Sequence, residues 1–85
     1  MDRHVIFGVH LTNRLTHASR VQEVFTEFGE HIKTRLGLHD VGPHGSSPSG
    51  VIVLDVTGDD PVLDRMAERL AAIDGVEVQR MVFTH

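Results

Sequence analysis

Histidine side chains mark the segment of this chain whose composition is most suited to ligand chemistry. The segment HDVGPHGSSPSG, residues 39–50, contains His39 and His44, five positions apart. Neutral imidazole is a common ligand of transition metals, and its charge changes near neutral pH. His10, at the end of a predicted strand, is a third candidate. Because a structural zinc site normally takes four ligands, these three histidines form a divalent transition-metal site only if a neighbouring subunit completes it. The alternative is that they are ordinary surface and strand-edge histidines.

The same segment has other interpretations. A phosphate-binding loop needs a lysine followed by serine or threonine and then a helix, but residues 39–50 contain no lysine and a strand follows. This pattern argues against a nucleotide site. The glycines, prolines and serines instead predict a flexible connection between two strands. The residues alone leave both the metal site and the plain connection open.

Catalytic chemistry has weaker support in the sequence. Serines follow His44, but a nucleophile and its base need fixed geometry and a third orienting group. Asp55 lies inside the most apolar segment of the chain, where a lone charge is costly unless it is paired. Arg35 is its expected neighbour across the sheet. We therefore expect a structural ion pair or a solvent-facing edge position here. Because support for catalysis is weak throughout the sequence, we expect a protein that is not an enzyme.

Composition limits the class of protein. The 85 residues form a single expected domain, residues 1–85, and contain no cysteine for a disulfide. Small domains without such crosslinks often gain stability by oligomerising. The net charge is −4 and the eight basic residues are scattered, which argues against direct nucleic-acid binding. The longest strictly apolar run, residues 51–54, is far too short for a membrane span. Since the N-terminus also lacks a signal-peptide pattern, we expect a soluble cytoplasmic protein.

Hydrophobic periodicity predicts the elements that position these side chains. Alternating apolar residues predict strands at 4–11, 32–39 and 76–83. The run VIVLDVT, residues 51–57, predicts a central strand that is buried on both faces.

Two helices are predicted between these strands. The first begins near His17 with Thr16 as its cap, and the second is capped by Asp59 or Asp60 and ends in a left-handed residue at Gly75. Each has one apolar stripe: Ala18, Val21, Val24, Phe25 and Phe28 in the first, and Leu63, Met66, Leu70 and Ile73 in the second.

The resulting order, βαββαβ, predicts a ferredoxin-like α+β sandwich: a four-stranded antiparallel sheet with two helices on one face. The other face has no covering element. Met81 and Phe83 add apolar side chains to it, and the first and third strands are apolar on both sides. An exposed face this apolar predicts a homo-oligomer, most simply a two-fold dimer. The alternative is that these residues are ordinary strand formers, shielded by loops and by Lys33 and Arg35.

Three segments resemble a known family: IKTRLGL at residues 32–38, GVIVLDVTGDD at 50–60 and LAAIDGVEVQRMVF at 70–83. The chain is similar over nearly its whole length to the small regulators found with iron-only (FeFe) hydrogenase gene clusters. That resemblance implies an ACT-like fold, related to the C-terminal domain of the nickel-responsive regulator and assembled as dimers or tetramers. It implies a regulatory role in which the protein senses a small molecule or metal, or engages a partner.

The chain departs from these relatives at two positions that matter for ligands. Arg35 and Gly37 stand where the nickel regulator has histidines, and there is no cysteine, so that nickel site is not carried over. The first turn, HLTNRLTH at residues 10–17, lacks the glycine near which ACT domains bind amino acids.

The leading hypothesis is therefore a self-associating regulatory domain that binds a small-molecule ligand or a protein partner. Its candidate ligand-binding residues are His10 and Asn13 in the first turn, and Arg35 and His39 on the second strand, all near the open sheet and its rim. The alternative is a metal-responsive sensor that uses His10, His39 and His44. A third hypothesis is a small dimeric ferredoxin-like enzyme.

Overall fold

Strands and helices follow the predicted order βαββαβ in the computed structural model. The structure describes residues 3–12, 14–42 and 45–84, and gives only the backbone of 14–17, 39–42 and 45–49. The elements are β1 (Arg3–Leu11), α1 (Arg14–Glu27), a 3₁₀ turn (Gly29–His31), β2 (Ile32–Gly42), β3 (Gly45–Val56), α2 (Asp60–Ala71) and β4 (Val76–Thr84). Neither α1 nor α2, the helices of this described part, is long and apolar enough to cross a bilayer.

The four strands form one antiparallel sheet in the order β2-β3-β1-β4. β1 and β3 are therefore central, while β2 and β4 form the two edges. This arrangement confirms the predicted ferredoxin-like fold and the central position of the third strand. That strand is fully buried only on the helix side, at Leu54 and Val56, whereas Val51 and Val53 are half-buried.

The core lies between the two helices and one face of the sheet. Alternate residues of β1 point into it because side chains alternate across a strand. Its members are Val5, Phe7, Val9, Leu11, Val21, Val24, Phe25, Phe28, Leu54, Val56, Leu63, Met66, Leu70 and Ile73. Both predicted helical stripes are confirmed except at Ala18, which is exposed. The buried stripe of α1 thus begins one turn later than predicted.

The structure confirms the predicted N-terminal cap of one helix and contradicts that of the other. α1 begins at Arg14, so Thr16 lies inside the helix and its prediction as the cap was wrong. In α2 the Asp59 carboxylate accepts a hydrogen bond from the Val62 backbone N–H at 3.3 Å, which confirms that cap. Gly75 has the predicted positive φ, +81°, but lies in the turn that leads into β4, beyond the end of α2.

The predicted connection at residues 39–50 is mostly paired strand. β2 continues to Gly42 and β3 begins at Gly45, with Val41 opposite Ser46. The prediction of a long flexible connection was therefore wrong for the paired positions. Pairing satisfies backbone N–H and C=O groups that a loop would leave to solvent, and short side chains do not oppose the extended conformation.

A β-bulge decides which face of β2 is apolar. The register with β3 shifts between Ile32 and Thr34. Ile32 packs against the core, but beyond the bulge Leu36 and Leu38 lie on the face away from the helices, 58% and 48% exposed. One extra residue moves every later side chain to the opposite face of a strand.

Candidate functional site

The sheet face turned away from the helices, called the open face below, carries the candidate site. The strand registers set its members in rows across the sheet. They are Thr34, Leu36 and Leu38 of β2, Val51, Val53 and Asp55 of β3, His4, Ile6, Gly8 and His10 of β1, and Glu77, Gln79, Met81 and Phe83 of β4.

Apolar side chains cross this face from edge to edge. Leu36 lies opposite Val53, and Ile6 lies opposite Met81. Met81 and Phe83 at the β4 edge are 55% and 51% exposed. A continuous exposed apolar surface of this kind marks a place where another surface binds.

A shallow depression lies over Gly8 in the middle of the open face. Its two adjoining parts, about 260 and 230 Å³, share Gly8 and Gln79 as lining residues. Gly8 creates the space because it has no side chain: a Cβ there would meet only the Gln79 carbonyl oxygen, at 3.9 Å. Each part is smaller than the ~300–1,000 Å³ of a typical ligand pocket, and both are open to solvent in the single chain.

Polar groups gather at one end of this depression. His10 lies opposite Glu77, and the Gln79 side-chain amide donates a hydrogen bond to the Glu77 carboxylate at 3.3 Å. An imidazole, a carboxylate and an amide can together orient a ligand that carries donors and acceptors. Sequence reasoning identified His10 but missed Glu77 and Gln79, which line the same part of the depression from β4. Alternation in β4 placed both on one face, but the register that sets them beside His10 is not visible in the sequence.

A histidine and a carboxylate lie within hydrogen-bond distance of each other at the opposite end of the open face. His4 Nε2 lies 2.9 Å from Asp55 Oδ1. The lone carboxylate of the apolar strand therefore has a polar partner, but that partner is His4, so the prediction of Arg35 was wrong. His4 precedes Ile6, the cross-strand neighbour of Asp55, by two residues and so shares its face.

Arg35 belongs to the helix side of the sheet. Its Nη1 donates to the Gln22 side-chain oxygen at 3.0 Å, and its guanidinium stands 5.5 Å from the centre of the Phe25 ring. The prediction that Arg35 shields the open face and lies at its rim was wrong. The bulge in β2 is the cause, since it exchanges the faces of Arg35 and Leu36.

The remaining predicted ligands are only partly described. His39 lies opposite Gly50 in the strand register, with its side chain undescribed, while Asn13 and His44 lie outside the described residues. Among the side chains that the structure does describe, no three His, Asp or Glu residues come together to hold a metal ion. The metal site of His10, His39 and His44 therefore stays a prediction.

Solved structures share this fold over the whole chain. An uncharacterized protein from Thermotoga maritima superposes with a TM-score of 0.82 at 20% identity, covering 98% of this chain and 100% of that one. A nitrogen regulatory PII-like protein from Thiomonas intermedia, bound to ADP, AMP and bicarbonate, gives 0.59 at 15% identity, with 99% and 96% covered.

A formyltetrahydrofolate deformylase from Pseudomonas putida gives a TM-score of 0.59 at 16% identity, but only 28% of that chain is covered. The sequence itself matches no protein-family profile and no curated protein. At these identities the likenesses show the fold alone, a ferredoxin-like sandwich.

Proposed function

We propose that this chain is a non-enzymatic regulatory domain that self-associates through its open face and responds to a small ligand or a protein partner. The observation that carries the proposal is the apolar surface that crosses the open face, with Leu36 at one edge and Met81 and Phe83 at the other. Burial against a second copy removes this surface from water. A two-fold axis achieves this with one self-complementary patch.

The depression over Gly8 is the proposed ligand site. Closure of a second open face over it turns a shallow hollow into an enclosed one, with His10, Glu77 and Gln79 at its polar end. Its size suits a small ligand with a flat apolar part and a polar end group. A solved PII-like protein of the same fold holds nucleotides and bicarbonate, which supports a ligand-sensing role.

The iron-only hydrogenase system is the proposed setting. The support is the resemblance of residues 32–38, 50–60 and 70–83 to regulators found with those gene clusters. A cytoplasmic location belongs to the same proposal. Loss of the protein from its native cells should alter hydrogenase activity or the level of the hydrogenase proteins. No change in either quantity would argue against this setting.

Sedimentation velocity tests the self-association. We expect the molar mass to rise above that of one 85-residue chain as the concentration increases. A chain that stays monomeric over about a hundredfold range around micromolar concentration would contradict the proposal.

A thermal-shift screen with ADP, AMP, bicarbonate and small carboxylates tests ligand binding. Gly8→Val is the matched variant, since it fills the hollow at a position whose φ is not in the left-handed region and where a Cβ has room. A ligand shift that persists in Gly8→Val would place the site elsewhere.

A further inference from the structure

The two edges of the sheet differ in how well they resist pairing with another strand. β2 has register shifts between Ile32 and Thr34 and between His39 and Val41. Such irregularities twist an edge and discourage pairing. β4 pairs with β1 without interruption over residues 76–84 and contains no proline and no lysine. Its outer edge is therefore a regular ladder of backbone donors and acceptors.

The end of β4 is apolar on both faces. Met81 and Phe83 lie on the open face and Val82 on the helix side, where it is 46% exposed. Arg80, the one charged residue beside them, is already engaged: its Nη1 binds Asp64 Oδ1 at 2.9 Å, and its guanidinium lies over an aromatic ring of the core. Arg80 is thus held by contacts within its own chain.

We propose that β4 pairs antiparallel with β4 of a second copy, around a two-fold axis perpendicular to the sheet. Antiparallel partners share a face, so the helices of both copies lie on one side and the two open faces join across an eight-stranded sheet. Centring the pair on Met81 sets Phe83 opposite Gln79 of the second copy. The same register sets Val82 opposite Arg80.

This register suits the charges of the strand. It places no two like charges directly opposite each other, whereas a pair centred on Arg80 would set two guanidinium groups face to face. The second copy is the occupant that this self-complementary edge fits.

A groove beside the β4 edge is the proposed binding place for Val82 of the second copy. It has a volume of about 290 Å³ and lies between α2 and β4. Ala67, Ala71 and Val78 form its apolar lining, and Asp64, Glu68 and Arg80 form its charged lining. In the paired register Val82 of the second copy comes beside Arg80 and so to this groove. The small alanine side chains leave space in the groove for Val82 of the second copy. Each Val82 is therefore buried from solvent in the paired register.

This edge contact is separate from the proposed open-face contact. It uses the β4 backbone and Val82 on the helix side. The open-face contact uses side chains that project from the other face of the sheet, from Leu36 on β2, at the far edge, to Met81 and Phe83 on β4. The two contacts together build a tetramer as a pair of dimers, and each can fail without the other.

Val82→Lys tests the edge contact, because it adds the charge that edge strands commonly carry and leaves the open face unchanged. We expect sedimentation velocity to show loss of one assembly step, with the mass falling by about half. Leu36→Lys is the matched control on the opposite edge and should leave the β4 dimer intact. Circular dichroism melting of both variants checks that they fold.

The masses of the two variants distinguish the edge contact from the open-face contact. If Val82→Lys keeps the wild-type mass, the edge proposal is overturned, even where Leu36→Lys lowers the mass and supports the open-face contact. If only Val82→Lys lowers the mass, the edge contact stands and the open-face proposal fails. A wild-type chain that is monomeric throughout overturns both.

Cysteine crosslinking tests the register. The chain has no native cysteine, so Met81→Cys introduces its only thiol. In the Leu36→Lys background, mild oxidation should link two copies through position 81, since the axis brings the two Cα atoms within disulfide range. Ala18→Cys, exposed on α1, is the control. Equal crosslinking of the two variants, or none at position 81, would overturn the proposed pairing.

Discussion

Replacing Leu36 by threonine isolates the apolar contribution of the open face to self-association. Threonine keeps a high strand propensity, so β2 should remain paired. Leu36 is 58% exposed in the single chain, and its removal leaves no cavity in the core. We therefore expect monomer stability to change little while the association weakens.

The size of the effect follows from the exposed fraction. Burying a whole leucine side chain contributes about 1.5–3 kcal/mol, so the exposed 58% can contribute about 0.9–1.7 kcal/mol per copy. A two-fold interface contains this residue twice, which makes about 1.7–3.5 kcal/mol. Since about 1.4 kcal/mol is a factor of ten, Leu36→Thr should raise the dissociation constant about 15- to 300-fold.

Sedimentation velocity over a concentration series measures that constant directly. Gly37→Thr is the matched control: it adds the same residue type one position along β2, on the opposite face, where a Cβ would meet nothing within 4 Å. The reasoning is refuted if Leu36→Thr and Gly37→Thr associate equally, or if Leu36→Thr weakens association less than about threefold.

Further predictions concern the scaffold and the predicted metal site. Asp59→Ala removes the hydrogen bond to Val62 and should cost about 1 kcal/mol, lowering Tm by about 4–8 °C, whereas Asp59→Asn should keep most of the stability; equal melting of both variants would contradict the cap. Met66 is 0% exposed, so Met66→Ala should cost about 2–5 kcal/mol in urea unfolding and Met66→Leu less than about 1.5 kcal/mol; similar midpoints for both would show that the site is loosely packed. If the histidine site exists, native mass spectrometry should show bound zinc, nickel or iron that is lost with chelator and in a His39→Ala, His44→Ala variant, and unchanged uptake would exclude those ligands.

Local patterns in the sequence were sufficient for most of the fold. Period-two alternation predicted β1 and β4, and helical spacing predicted the buried side of α2. These signals are reliable because each depends on side-chain direction within a single element. The Asp59 cap is local for the same reason, since donor and acceptor are three residues apart.

Sequence patterns gave wrong predictions where the position of a side chain depended on the register between strands. The bulge after Ile32 sends Leu36 to the open face and Arg35 to the ring of Phe25, an exchange that alternation alone cannot reveal. Pairing also converted most of residues 39–50 from a predicted connection into strand.

Hydrophobic periodicity was sufficient to predict that two helices cover one sheet face and leave the other apolar and open. Which residues share that open face became visible only in the folded chain: His4 with Asp55 at one end, and His10 with Glu77 at the other. The difference arises because the burial pattern of a helix or strand depends on its own residues. Strand order, register and bulges, in contrast, depend on interactions between residues far apart in the chain, which no single segment encodes.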